Sequence, residues 1–180
     1  MQITQILELT TRPLDDLFEL LQAGGAILWV ILAATIIMWM LILERYAFYY
    51  IHYPSLHNRL IEQWQQRADH NSWTARKIRE YVVAETNGLL IRHLLPIRTL
   101  TTLLPLLGLL GTVTGMIQVF DVLAIFGTGN ARGLAQGISQ ALITTMAGLT
   151  TALSGLYFSA LLDRRAEYET RRLAHKMRLQ

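Results

Sequence analysis

Three stretches of this chain carry no Asp, Glu, Lys, Arg or His: Leu20 to Leu43, Thr99 to Phe120, and Gly133 to Leu162. A helix rises about 1.5 Å per residue and needs about 20 largely apolar residues to cross a bilayer, and each stretch is long enough. The first is rich in Ile, Leu, Met and Trp, which suits a helix facing lipid. The third is dotted with Gln136, Ser139, Gln140, Thr144, Thr145, Thr150, Thr151, Ser154 and Ser159. A span of that kind needs neighbouring helices, water or a partner chain to satisfy its polar groups. The pattern predicts an all-α integral membrane protein with three transmembrane helices. An amphipathic segment covers 1–24, transmembrane helix 1 covers 25–45, and a helical region covers 46–98. Transmembrane helix 2 covers 99–125, a turn 126–134, transmembrane helix 3 135–162, and a helical tail 163–180.

Local signals refine these elements. Pro13 suits a first helical turn, with Asp15, Asp16 and Glu19 complementing its dipole. Leu14, Leu17, Phe18 and Leu21 make one apolar stripe, and Gly24-Gly25 permits a bend. Tyr46, Tyr49, Tyr50 and Tyr53 read as an aromatic belt at the inner end of the first span. That helix is expected to continue some turns before Pro54. Leu56, Leu60, Ile61, Trp64 and Ala68 keep helical spacing. Asp69-His70-Asn71-Ser72 reads as a turn with Ser72 capping the next helix. That helix carries Ile78, Val82 and Val83, is expected to loosen at Asn87-Gly88, and is expected to kink at Pro96. FGTGNARG, residues 126–133, reads as a turn between spans; it lacks the GK[ST] ending and the preceding strand of a phosphate loop.

Charge sets the topology. Only 16% of residues are charged, against roughly 25% in an ordinary soluble domain. Eight Lys/Arg lie between Glu44 and Arg98 and six follow Leu162; Arg12 and Arg132 are the others. Basic residues concentrate on the cytoplasmic side. The rule therefore places 46–98 and the tail inside, and the N-terminus and the 126–134 turn outside. The same distribution explains the pI near 9.4 without nucleic acid, leaving some attraction to anionic membrane lipids. The start of the chain lacks a basic n-region, so the first span is expected to be retained rather than cleaved. Without cysteine there is no thiolate or disulfide chemistry. His52, His57, His70, His93 and His175 show no ligand spacing, so neither a metal nor any other cofactor is expected. No nucleophile set is visible, and an enzyme is not expected. Asp121 ends the second span, where a solvated or Arg132-paired carboxylate is a simpler reading than a proton collector. Arg164-Arg165 and Arg171-Arg172 read as a solvated face near lipid.

On a wheel of about 100° per residue, Gly137, Gln140, Ala141, Thr144, Gly148, Thr151 and Gly155 share a face of the third span, with Thr145 toward its boundary. In the second span, Thr101, Pro105, Gly108, Thr112 and Val119 share one. Pro105 leaves the Thr101 carbonyl without its usual intrahelical donor and marks a kink. Helix packing explains any one of these small residues. The matched pattern on two helices is better explained by a cavity that admits a central helix or a file of water. A proton relay needs an ionisable group at membrane depth, and this chain has none there. A partner would have to bring the acid.

LLPLLGLLGTVTGMIQVF (Leu103–Phe120) and GISQALITTMAGLTTALSG (Gly137–Gly155) resemble the ExbB/TolQ/MotA family of ion-driven stator and motor subunits. Three spans with this orientation look like the ExbB and TolQ branch. The resemblance implies long helices extending into the cytoplasm and a homo-oligomeric ring, a homopentamer around the helices of an ExbD-like single-span dimer. That partner brings the protonatable aspartate. With a TonB-like protein such a complex carries inner-membrane proton motive force to outer-membrane uptake of iron siderophores, haem or B12. The resemblance also implies a periplasmic N-terminus and a cytoplasmic C-terminus. Thr112 and Thr145 match the family's pore threonines. Gln140 stands where many members carry glutamate. A proton path and partner-helix contact through Thr112, Thr145, Gln140, Thr144, Thr101, Gly108 and Thr151 is the resulting expectation. A TolQ-like role in envelope integrity and a non-conducting scaffold remain the alternatives.

Overall fold

A computed structural model of the chain describes residues 18–66, 72–92 and 94–177. The Pro13 helix start, Asp15, Asp16, the Leu14 and Leu17 part of the stripe, Ala68, the 69–71 turn and His93 lie outside those residues. All regular structure among the described residues is helical. After a helical stretch at 18–23, α1 runs Gly25–Ala47 and passes through a π-helix, Phe48–His52, into α2, Tyr53–Gln65. α3 spans Trp73–Ile91, α4 Leu94–Phe126 and α5 Ala131–Lys176, with a 3-10 turn, Gly127–Gly129, before α5. Among the described residues three helical runs are long and apolar enough to cross a membrane: Gly25–Ile51, a run within Trp73–Gly129, and Ala131–Lys176.

The helix ends follow from local chemistry. Gly25 takes φ +67°, so the bend at Gly24-Gly25 is made where a side chain would be strained. Ser72 caps α3 by accepting from the Ala75 N–H at 3.1 Å. Asn130 accepts from Gly133 N–H at 3.1 Å and starts α5 at Ala131, several residues before the span itself. The π-turn, where Tyr53 N–H donates to Phe48 O, precedes Pro54, a residue with no N–H to give.

Three expectations are corrected. α3 does not loosen at Asn87-Gly88: it continues to Ile91, and Asn87 Oδ1 accepts from Thr170 Oγ1 of α5 at 3.3 Å. Pro96 does not kink a continuing helix: it lies in the first turn of α4, where its missing N–H has no intrahelical partner to lose. The tyrosines are not all a lipid-facing belt. Tyr49 and Tyr53 are buried, and their hydroxyls donate to Leu90 O at 3.4 Å and Glu169 O at 3.3 Å. Tyr50 is exposed.

The chain forms two compact units. The first comprises Met1–Ile36 and Leu100–Leu153. In it, α4 buries Thr101, Leu104, Gly108, Gly111 and Gly115, alternating three and four residues, the spacing of a coiled-coil seam. α5 answers with Gly137, Ala141, Thr144 and Gly148. A Cβ on Gly148 would stand 2.7 Å from Leu104 O and 3.0 Å from Gly108 Cα, so the backbones themselves are in contact there. The outer faces carry exposed Leu106, Leu109, Leu110, Val113, Leu142, Met146 and Leu149, which suits lipid or neighbouring subunits.

The second unit comprises Ile37–Thr99 and Ser154–Gln180. Trp64, Ala75, Leu173 and Met177 form its core cluster, joined by Leu60, Ile61, Ile78, Val82 and Val83. In this unit the buried positions are Met38, Ile42 and Arg45 on α1, Tyr49 in the π-turn, and Tyr53 and His57 on α2. The last three intervals are four residues each, and the wider π-turn absorbs them without turning the face away. Trp39 meets Phe158 edge-on at 5.0 Å, Arg79 donates to Ala174 O at 2.8 Å, and Arg98 pairs with Asp163 at 2.7 Å.

Two glycines separate packing from propensity. Gly88 has open space where a Cβ would go, so Gly88→Ala stabilises α3 by about 0.5–1 kcal/mol. Gly148→Leu forces α4 and α5 apart and lowers the unfolding temperature. Thermal unfolding in mild detergent measures both shifts, and they have opposite signs.

Candidate functional site

The two matched small faces do not line a cavity within the protomer, as the wheel suggested; they pack on each other backbone to backbone, and the candidate site is this seam between α4 and α5 in the first unit. Gly108 lies at its centre. A Cβ on Gly108 would be 3.2 Å from Thr144 O and 3.2 Å from Thr145 Cα. That close approach puts the Thr145 hydroxyl within reach of the other helix. Thr145 Oγ1 donates to Gly108 O at 3.2 Å and is also 3.2 Å from Ala141 O on its own helix. Thr144 is fully buried against Gly111, its hydroxyl within reach of Gln140 O at 3.1 Å and Ala141 O at 2.9 Å. Thr112, one turn after Gly108, is half-buried and donates to Leu109 O at 2.6 Å. Pro105 is half-buried inside α4, which continues through it, and Thr101 is buried one turn earlier.

The remaining predicted residues go elsewhere. The Gln140 amide lies over Gly25, 2.5 Å from where a Cβ would stand, against the start of α1 and beside the seam. Thr151 donates to Ala147 O at 2.8 Å and lines an apolar cleft of about 220 Å³ with Leu28, Ile31, Thr35, Ile143 and Met146. The face predicted from the wheel is therefore shared out. Gly137, Ala141, Thr144 and Gly148 pack on α4, while Gln140 and Thr151 face residues 20–35. Thr112 and Thr145 both adjoin Gly108 at the half-buried edge of the seam.

Chemically, this seam is uncharged. The charged residues of the first unit, among those described, are Glu19, Asp121 and Arg132, all exposed. Asp121 makes no ion pair with Arg132. No cluster of three or more His, Asp or Glu able to hold a metal occurs among the described residues. Thr112, Thr144, Thr145 and Thr151 each give their hydroxyl proton to a backbone carbonyl, and at the half-buried edge the Thr112 and Thr145 oxygens keep lone pairs as acceptors. The seam can therefore receive a hydrogen bond from water or a protonated acid. A hydroxyl can also rotate and donate to an anion.

The second unit holds residues that periodicity did not single out. Arg45 is buried, with its guanidinium over the Phe48 ring at 4.9 Å and Nε and Nη1 unpaired. His57 is buried, its Nδ1 3.5 Å from the Tyr53 hydroxyl and its Nε2 without a partner. Burial pushes the Tyr53 phenol up to about 12, and Glu169 adds to the effect. Burial holds His57 below its ordinary value; Lys176 and Arg172 push the same way, and Glu169 opposes them. The signal was present in the sequence, since Tyr53 and His57 are four apart and Glu169 stands between Arg165 and Arg172.

Residues 52–175 match the MotA/TolQ/ExbB proton channel family. The chain is 40% identical over 74 residues to biopolymer transport protein exbB1 of Vibrio cholerae, covering 41% of this chain and 32% of that protein. It is 51% identical over 63 residues to the ExbB-like 1 protein of Synechocystis sp., covering 33% of this chain and 25% of that one. It is 37% identical over 75 residues to an ExbB homolog of Methanothermobacter thermautotrophicus, covering 42% and 25%. The chain thus spans a third or less of the length of these curated relatives. No solved structure matches it.

Thr145→Val removes the bond to Gly108 O and costs about 0.5–1.5 kcal/mol, while Thr145→Ser retains it; unfolding in detergent resolves the pair. For His57, a depressed folded pKa means the unfolded chain takes up the proton first. Stability from this group is whole above about pH 6.5 and is lost as pH falls through the folded value. Unfolding temperatures from pH 7.5 down to 5.5 should therefore fall more in the wild type than in His57→Gln.

Proposed function

The chain belongs to the MotA/TolQ/ExbB proton channel family, and from that premise we propose that it is the ring-forming subunit of a proton-motive-force-driven motor in the bacterial inner membrane. Five copies surround the helices of an ExbD-like dimer, and a TonB-like protein carries the work to outer-membrane uptake of iron siderophores, haem or B12. The N-terminus is periplasmic and the C-terminus cytoplasmic, as the placement of basic residues supports. The helical region 46–98 and the end of α5 are the cytoplasmic extensions.

The observation that carries this reading is an uncharged seam whose threonines adjoin one glycine on a half-buried edge. A carboxyl on the partner's helix finds acceptors there when protonated. When ionised it finds donors only if the hydroxyls rotate away from Leu109 O and Gly108 O. Protonation therefore changes what the partner helix binds, and that difference is what a motor requires. The membrane potential adds about 2.3 kcal/mol per charge per 100 mV. The chain is not an enzyme on this reading, and needs no cofactor or metal.

A non-conducting scaffold is the rival, favoured by the use of Gly108, Gly111, Gly115 and Gly148 for packing within one protomer. Proton flux into vesicles holding the chain and its single-span partner decides between them. In the motor, Thr145→Val and Thr112→Val at normal abundance reduce flux and siderophore-dependent growth. Losing one hydrogen bond of about 1.4 kcal/mol in the barrier gives a rate lower by roughly tenfold. Wild-type flux in both variants removes these residues from the path, and absence of flux in the wild type supports the scaffold. Rescue of detergent tolerance in place of iron uptake identifies the TolQ-like role.

A further inference from the structure

Two adjoining clefts lie in the second unit, and they share Tyr49, Tyr50 and Arg165. The smaller, about 100 Å³, is floored by Tyr46, Leu161 and Leu162. The larger, about 240 Å³, is lined by His57, Asn58, Glu169, Arg172 and Lys176. Together they make one groove with an apolar end and a cationic end. Leu161 and Leu162 close the charge-free stretch of α5, and Arg165 follows within one turn. Tyr49 and Tyr50 stand at the end of the apolar run of α1. The groove therefore changes character on both helices where each leaves its apolar stretch.

Its cationic end is under-neutralised. Arg165, Arg172 and Lys176 face one carboxylate, Glu169, which is itself buried. The two arginines approach Glu169 only to 3.9 Å and 3.7 Å, too far for strong charge-assisted hydrogen bonds. Lys176 has no acidic partner among the described residues. His57 lines the same cleft, is 5% exposed, and leaves Nε2 with no partner. An unpaired buried nitrogen beside excess positive charge calls for an anion with acceptor oxygens. The apolar end calls for a hydrocarbon tail on that anion.

We propose that this groove is a specific binding site for one anionic glycerophospholipid of the bilayer leaflet at that boundary. The phosphate sits among Arg165, Arg172 and Lys176 and accepts from His57 Nε2–H, in the tautomer whose Nδ1 takes the Tyr53 hydroxyl proton in place of Glu169 O. The start of an acyl chain lies along Tyr46 and Leu162. Arg165, 5.4 Å over the Tyr50 ring, closes the groove from the exposed side. The site does not depend on proton flow, and it stands or falls apart from the motor reading.

The test is native mass spectrometry of the full chain, delipidated in mild detergent and titrated with phosphatidylglycerol or phosphatidylcholine of identical acyl chains. Phosphatidylglycerol is retained in clear excess. Arg172→Gln and Lys176→Gln each lower that excess by roughly fivefold, the worth of one cation near a membrane surface. Arg164→Gln/Arg171→Gln, which removes two neighbouring cations outside the groove, leaves it unchanged. Equal retention of the two lipids by the wild type overturns the proposal, whatever the variants do. Equal losses from the Arg164/Arg171 variant also overturn it, since the attraction is then diffuse. Displacement of phosphatidylglycerol by millimolar inorganic phosphate overturns it in favour of a free-anion site.

Discussion

The approach of α4 to α5 at Gly108 and Gly148 is the constraint on which the first unit depends. A methyl group at Gly148 would collide with Leu104 O and one at Gly108 would fit only tightly, so the helices meet through main chain rather than through interdigitated side chains. Two consequences follow. Main-chain contact brings the Thr145 hydroxyl to Gly108 O, a bond between helices that a Leu–Leu seam would not allow. The same contact leaves the bulky residues, Leu109, Leu110, Val113, Leu142 and Met146, on the outside, where lipid or other copies can cover them.

The second unit is held by a different logic. Its core is formed from aromatic and aliphatic side chains, Trp64, Leu173 and Met177 among them, and long side chains reach across to carbonyls of neighbouring helices. Tyr49, Tyr53 and Arg79 each place a polar tip on a main-chain oxygen far away in sequence. Such bonds fix helix register where a purely apolar contact would slide. They also explain why the buried face must survive the passage through Pro54. A π-turn costs hydrogen-bond geometry, but it keeps Tyr49, Tyr53 and His57 on one side.

The three apolar runs, the Gly24-Gly25 bend and the Ser72 cap were legible in the sequence, because each depends on composition or on helical period; the small faces of α4 and α5 were legible as faces, but they pack on each other where the wheel suggested a cavity. Partner choice within a face was not legible. Gln140 and Thr144 are four residues apart and project together on a wheel, yet one lies over Gly25 and the other against Gly111. A wheel gives an angle, whereas a third helix divides that angle between neighbours. The tyrosines misled for a related reason: four of them near a span end fit a lipid belt, and only tertiary contacts turn Tyr49 and Tyr53 inward. Asn87-Gly88 misled because local propensity is a weak prior beside the contact from Thr170.

The uncharged seam bears on where force would act in the proposed motor. An acid buried on this chain would be held by its own helix, and its titration would chiefly alter that helix's stability. Threonine avoids the cost of burying a charge, because its hydroxyl is already satisfied by a carbonyl at rest. It can still accept from a neutral acid or turn to donate to an ionised one. With the titrating group on a separate chain, the change in binding falls on the contact between the two chains. Protonation then acts on relative position, and the surrounding subunit keeps one packed arrangement throughout.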